Sequence, residues 1–127
     1  MVSEVERLTG GKYVLVTTFR KDGTAVPTPV WVARDGDELV IWSATKAGKV
    51  KRIRRSGEVE VAACDFRGNP SGPGVRGHAR LLDAAGTERT RRLMKAKYGV
   101  LGWVTITGSL LRRGRDGSVG IAIRLGG

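Results

Sequence analysis

Reactive side chains are scarce in this sequence. Its 127 residues include one cysteine, Cys64, and one histidine, His78. No intramolecular disulfide can form, which fits a reducing, cytoplasmic setting. Neither a Cys/His pair nor a zinc cluster of the usual ligand spacing can be assembled, so no metal site is expected. Cys64 lies among small apolar residues in EVEVAACDF and reads as a buried, inert thiol, and His78 as a structural or solvent-facing strand residue. No apolar run approaches the roughly 20 residues that span a bilayer, and no charged-then-apolar leader opens the chain. No Lys follows a GxxxxG, so the Walker pattern is absent. The twelve carboxylates fall largely in turns and helix starts, with no pair spaced as an acid/base couple. No catalytic residue can therefore be named, and an enzyme built on this chain needs a cofactor to bring its reactivity.

Positive charge and glycine are abundant instead. A formal charge of +11 predicts affinity for anions in general without saying which anion. The seven aromatic residues (three Trp, two Tyr, two Phe) are not interleaved with the basic cluster, as a stacking platform for single strands requires. No helix-turn-helix or zinc-finger pattern is present either, so specific nucleic-acid binding is set aside. The nineteen glycines are scattered at turns with no period. Length and composition indicate one domain over residues 1–127 with a single core.

The order of elements is legible along the chain. KYVLVTTFR (12–20) is dense in β-branched and aromatic residues and reads as a strand, turned at Asp22-Gly23. AVPTPVWVA (25–33) is its partner; Pro27 and Pro29 cannot donate to a ladder, which puts this strand at an edge or beside a ligand. A second Asp-Gly turn at Asp35-Gly36 leads into ELVIWS (38–43). Thr45 reads as an N-cap for a short helix over 46–56, with Ala47, Val50 and Ile53 as its buried stripe. EVEVAACDF (58–66) is a fourth strand, RGNPSGPG (67–74) a loop and VRGHARLLD (75–83) a fifth strand. Thr87 is expected to cap a second helix running to Tyr98, broken by Gly99 and Gly102. The second helix has Leu93, Met94 and Tyr98 on its packed side, Trp103, Ile106 and Leu110 have the spacing of a third short helix, and Ser118–Leu125 is strand six. The fold class expected is mainly β (α+β by content): a six-stranded antiparallel barrel with two or three short helices.

Six of the ten residues from Lys46 to Arg55 are Lys or Arg, directly after a strand that ends near Ser43 and Thr45. Hydroxyls, free backbone N–H groups and the positive end of a helix converge there. Gly48 lets a ligand approach the backbone, and Lys49 offers a point charge to a phosphate. This segment is either an anion site or a solvated basic helix face, two readings that spacing alone does not separate.

KYVLVTTFRKDGTAVPTPVWV, LVIWSATKAGKVKRIRRSGEVEVAACDFRG, GPGVRGHARLL and RDGSVGIAIRL together resemble the pyridoxamine 5'-phosphate oxidase-like superfamily, from about Lys12 to Leu125. More narrowly they resemble its actinobacterial branch that uses the deazaflavin coenzyme F420, and AGKVKRIR (47–54) is the sharpest piece. The resemblance implies a split β-barrel homodimer with two cofactor sites at the subunit interface. It places the cofactor's phosphate-bearing chain near Ser43, Thr45 and Lys49, its tricyclic ring along the backbone of Pro29, Val30 and Trp31, and Trp103 as the partner's contribution. Several relatives carry an arginine two positions before the lysine that matches Lys49. Here that position is Ala47, so Lys49 and neighbours such as Lys51 must serve.

The implied function is hydride delivery from reduced F420 to a small electrophilic substrate. Lys46, Lys49, Lys51, Arg52, Arg54 and Arg55 suit F420's phosphate near the helix start and its acidic oligoglutamate tail beyond it, whereas FMN has no need of charge beyond its phosphate. FMN in the same fold, or a non-catalytic carrier of F420, FMN or heme, is the alternative.

Overall fold

The computed structural model describes residues 3–126. The chain opens with helix α1 (Glu4–Thr9), started by Ser3, whose Oγ accepts the Glu6 backbone N–H at 3.1 Å. The Ser-x-x-Glu spacing that marks such a start is present in the sequence, but this helix was not expected. Strands β1 (Tyr13–Phe19), β2 (Ala25–Trp31), β3 (Ala33–Asp35) and β4 (Glu38–Ala44) follow. Then come α2 (Gly48–Arg55), β5 (Glu58–Cys64), β6 (Val75–Leu81), α3 (Ala84–Arg113) and β7 (Ser118–Leu125).

All seven strands form one antiparallel sheet in the order β2-β1-β5-β6-β7-β4-β3. The count exceeds the expected six because the run 25–33 is not one strand. It divides at Val32: β2 pairs with β1 at one edge, and β3 pairs with β4 at the other. The two outermost strands are thus joined by a single residue, which requires the sheet to curl until its edges meet. Pro27 and Pro29 lie on the outermost strand β2, where their missing N–H groups leave no ladder bond broken.

Alternation sorts the side chains to the two faces. Val14, Val16, Leu39, Ile41, Val59, Val61, Ile121 and Ile123 fill the concave side, together with Leu8 of α1 and Val50 and Ile53 of α2. The three-residue spacing of the α2 stripe therefore does turn one apolar face into the core. On the convex side, Ala33, Val40 and Ala122 are covered by Met94 and Ile106 of α3, with Trp31, Trp42 and Tyr98 packed around them.

Helix α3 is two helical segments joined across Gly99, whose φ of 62° and ψ of −134° suit glycine alone. The break expected at Gly99 is there. Gly102 causes none: it is buried, and a Cβ on it would sit 2.9 Å from the Met94 carbonyl, so its role is close packing. The cap of α3 is Asp83, accepting from Gly86 N, rather than the expected Thr87. Thr87 lies one turn inside, and its hydroxyl accepts the Gly120 N–H of β7 at 3.0 Å. Ile106 is buried, but Trp103 faces outward and is 57% exposed.

Candidate functional site

The division at Val32 creates a seam. Ala33 pairs with Val40 and Asp35 with Glu38; extended backward, that register sets Val30 and Trp31 beside Ser43 and Trp42. β2 and β4 do touch, yet they form no ladder. Pro29, Val30 and Trp31 thus border one side of the seam and Ser43 the other, with Thr45, Gly48 and Lys49 following directly in the chain.

The hydroxyls expected at this site have local duties. Ser43 is buried and donates to the Ala44 carbonyl at 3.1 Å. Thr45 is not the N-cap of α2: its Oγ1 donates to the Asp116 carbonyl at 2.7 Å and its N–H to Gly117 O at 3.0 Å, fastening the end of β4 to the turn before β7. The helix begins later, at Gly48, with Ala47 as its cap residue and no side-chain cap bond. The Val50 N–H bonds back to the Ala47 carbonyl at 3.1 Å, which leaves the Gly48 and Lys49 N–H groups bare at the positive end of α2.

Cations surround that bare end, and the first turn carries no acidic residue. Lys49 is half-buried rather than fully exposed. Burial, and secondarily the nearby Arg52 charge, holds its ammonium below the usual lysine value. Arg52, one of the cations expected along this helix, lays its guanidinium over Gly48, with Nη1 2.9 Å from where a Cβ would stand. Its Nε is anchored to Thr18 Oγ1 of β1 at 2.6 Å. The helical period was the signal for this: residues 48 and 52 share a face. Arg52 brings a guanidinium to the helix start, which Ala47 does not supply. Lys51 is exposed on the outer face.

The break at Val32 is secured by α3. Tyr98 donates its hydroxyl to the Lys12 carbonyl at 2.6 Å and accepts the Val32 N–H at 3.0 Å, while its ring stacks on Trp31 with centroids 4.3 Å apart. Lys97 Nζ donates to the carbonyls of Thr9, Gly11 and Val32 at 2.8, 2.7 and 2.7 Å. The two backbone groups that Val32 withholds from any ladder are thus both satisfied by side chains from one helix turn.

Two remaining residues are accounted for. Cys64 is half-buried, and burial, with Asp65 beside it, pushes its thiol up, consistent with an inert side chain. Trp103 belongs to the second segment of α3 and is not brought to the seam within this chain; it lies on an outward stripe with Val100, Val104 and Leu111.

No group of three or more His, Cys, Asp or Glu side chains suited to a metal occurs among the described residues. No helix among them is long and apolar enough to cross a membrane.

No curated protein matches the chain in sequence. Among solved structures, an F420 reductase is 21% identical, with a TM-score of 0.66 over 100% of this chain and 97% of its own. A conserved hypothetical protein from Mycobacterium tuberculosis, Rv2991, is 18% identical, with a TM-score of 0.71 over 96% of this chain and 79% of its own. The heme storage protein HutZ from Vibrio cholerae is 7% identical, with a TM-score of 0.64 over 100% and 92%. At these identities the likeness is one of fold. The sequence model of the pyridoxamine 5'-phosphate oxidase family matches residues 4–117, so the chain belongs to that family.

Proposed function

We propose that this chain is an F420-dependent oxidoreductase that reduces a small electrophilic organic substrate and works as a homodimer. The observation that carries this reading is the start of α2: bare helix N–H groups, a half-buried Lys49 beside a second cation, and no carboxylate within the turn. A half-buried ammonium that faces another cation is a site short of an anion, and a cofactor phosphate supplies one. Gly48, Lys49 and Arg52 hold that phosphate, with Ser43 and Thr45 shaping the strand end that leads to it. Pro29, Val30 and Trp31 offer the backbone along which a planar ring lies. When bound, the reduced deazaflavin supplies the hydride, and the chain's own contribution is orientation and shelter.

Lys46, Lys51 and Arg54 are exposed along α2. They suit an acidic tail, each adding under about 1 kcal/mol, as surface charges do. This favours F420 over FMN, although the family as a whole is flavin-binding. A second reading, a carrier without catalysis, rests on the seam's own borders: Pro29, Val30, Trp31 and Ser43 include no group that exchanges protons near neutral pH.

The site is completed across a dimer interface. Val100, Leu101, Trp103, Val104 and Leu111 are 54–85% exposed on one helical segment, large apolar side chains of the kind a partner subunit covers. Fluorescence titration with F420 and separately with FMN tests the cofactor. Saturable F420 binding with weaker FMN binding supports the reading, FMN binding alone moves the protein to flavin chemistry, and binding of neither refutes both. Lys49→Ala is expected to weaken cofactor binding by at least about tenfold in a folded protein. Light scattering at micromolar concentration should give a dimer, and a monomer there counts against an interface site.

A further inference from the structure

A second cavity, of about 510 Å³, lies at the opposite end of α2 from the seam. The β1–β2 turn, the end of α2, and strands β5 and β6 converge on it. Its cations are Arg20 and Lys21 from the turn, Arg55 from α2 and Arg76 from β6; two carboxylates, Glu58 and Glu60, stand on the β5 side. The ion pairs among the described residues lie elsewhere, joining Arg7 to Glu4, Arg34 to Glu6, Arg80 to Glu38, Arg89 to Asp35 and Arg91 to Glu88. Four unpaired cations and two unpaired carboxylates therefore share one concavity of ordinary ligand-pocket size.

Two lining side chains are seated where only glycine permits them. A Cβ on Gly57 would fall 2.5 Å from His78 Cε1, and a Cβ on Gly74 would fall 2.1 Å from Glu60 Oε1. The imidazole of His78 thus lies against the α2–β5 junction, and the Glu60 carboxylate lies over the loop before β6. Arg55 is fixed as well, donating to the Phe19 carbonyl.

We infer that this cavity binds a phosphorylated polyol of sugar-phosphate size, with the phosphate against the arginines and its hydroxyls donating to Glu58 and Glu60. Guanidinium forks match phosphate oxygens in pairs. A ligand that was anionic throughout would be repelled by the two carboxylates, whereas one with hydroxyl donors uses both sets of groups. The assignment is independent of the cofactor reading, since Lys49 and Arg55 are six residues apart along α2, about 9 Å.

His78 is the only histidine, so its ring Cε1–H signal in a proton NMR spectrum needs no further assignment. Titration of the 127-residue chain with ribose 5-phosphate is expected to shift that signal saturably. Inorganic phosphate should bind at least about tenfold more weakly, and ribose alone should leave the signal in place. Arg76→Gln, at an exposed position, should weaken ribose 5-phosphate by about tenfold or more. Glu60→Gln should weaken it while leaving inorganic phosphate unchanged, and Lys49→Ala should leave the His78 titration intact. The inference is overturned if ribose 5-phosphate gives no saturable shift, if inorganic phosphate binds as tightly, or if Arg76→Gln has no effect. Abolition by Lys49→Ala would also overturn it, because the phosphate would then sit at the other end of the helix.

Discussion

Replacing Lys97 by methionine should destabilise the fold by about 3 kcal/mol. The ammonium donates to three backbone carbonyls, those of Thr9, Gly11 and Val32, all within 2.8 Å. A hydrogen bond to a charged group contributes roughly 1.5–3 kcal/mol, but the three do not add in full. Gly11 is exposed and Thr9 half-buried, so water recovers part of what their carbonyls lose. Val32 is fully buried, and its carbonyl retains only the Tyr98 hydroxyl at 3.1 Å, shared with Lys12. Desolvating the ammonium opposes the bonds it makes, as its lowered pKa indicates. Methionine keeps most of the aliphatic stem, so packing changes little. The balance is about 2–4 kcal/mol, or roughly a 10 °C drop in Tm for a domain of this size. The assay is urea unfolding at fixed protein concentration, read as a lower midpoint with the slope unchanged. Arg92→Met, at an exposed position on the same helix, is the control and should cost under about 0.5 kcal/mol. A Lys97→Met protein no less stable than that control would refute the claim that α3 holds the break at Val32.

Gly57→Ala should cost about 1–3 kcal/mol in thermal or urea unfolding, because the new Cβ meets His78 Cε1 at 2.5 Å and the Ala79 carbonyl at 2.6 Å. In a His78→Ala background the imidazole clash goes but the carbonyl clash stays, so a full rescue would contradict the geometry. Acid sensitivity is expected from Asp35 and Glu38, whose carboxyls are held below their ordinary values of 3.8 and 4.5 chiefly by hydrogen bonds from Arg89 and Arg80. Carboxylates depressed by folding stabilise above those values, and their contribution fades as pH falls through the lower folded ones. The variant Asp35→Asn with Glu38→Gln should therefore lose stability at neutral pH and show a flatter decline below pH 4.5.

Legibility in the sequence followed how local each determinant is. Strand β7 was readable because Val119, Ile121, Ile123 and Leu125 alternate cleanly, and that face does pack into the core. The break at Gly99 and the edge position of Pro27 and Pro29 were readable because those residues act through their own backbones. The division at Val32 was hidden inside AVPTPVWVA, a run with no local breaker there. Its cause lies 65 and 66 residues away, in Lys97 and Tyr98, whose side chains replace the ladder partners that Val32 gives up. The cap of α3 was misread for a related reason: Asp83 and Thr87 are both capping residue types, and only the bond from Gly120 to Thr87 decides between them. At the site, the expectation that Lys49 stands at the start of α2 holds. The cation beside it, Arg52, needed the exact first residue of the helix before the 48/52 relation became visible.

The distribution of ion pairs bears on what the +11 charge is for. The chain has twelve acidic side chains, and among the described residues five arginines form ion pairs with them. Arg7–Glu4 and Arg91–Glu88 lie within α1 and α3, whereas Arg34–Glu6, Arg80–Glu38 and Arg89–Asp35 join neighbouring elements. None involves a cation of the segment from Lys46 to Arg55. Arg52 and Arg55 bond neutral oxygens of β1, and the half-buried Lys49 ammonium sits near Arg52. Solubility alone would be served by charge spread over the surface in mixed sign. Here one sign is gathered on one helix, Arg52 and Arg55 are anchored in position, and no carboxylate stands in the helix's first turn. That arrangement is costly to an isolated chain through mutual repulsion, and anions bound at the two proposed sites would relieve it.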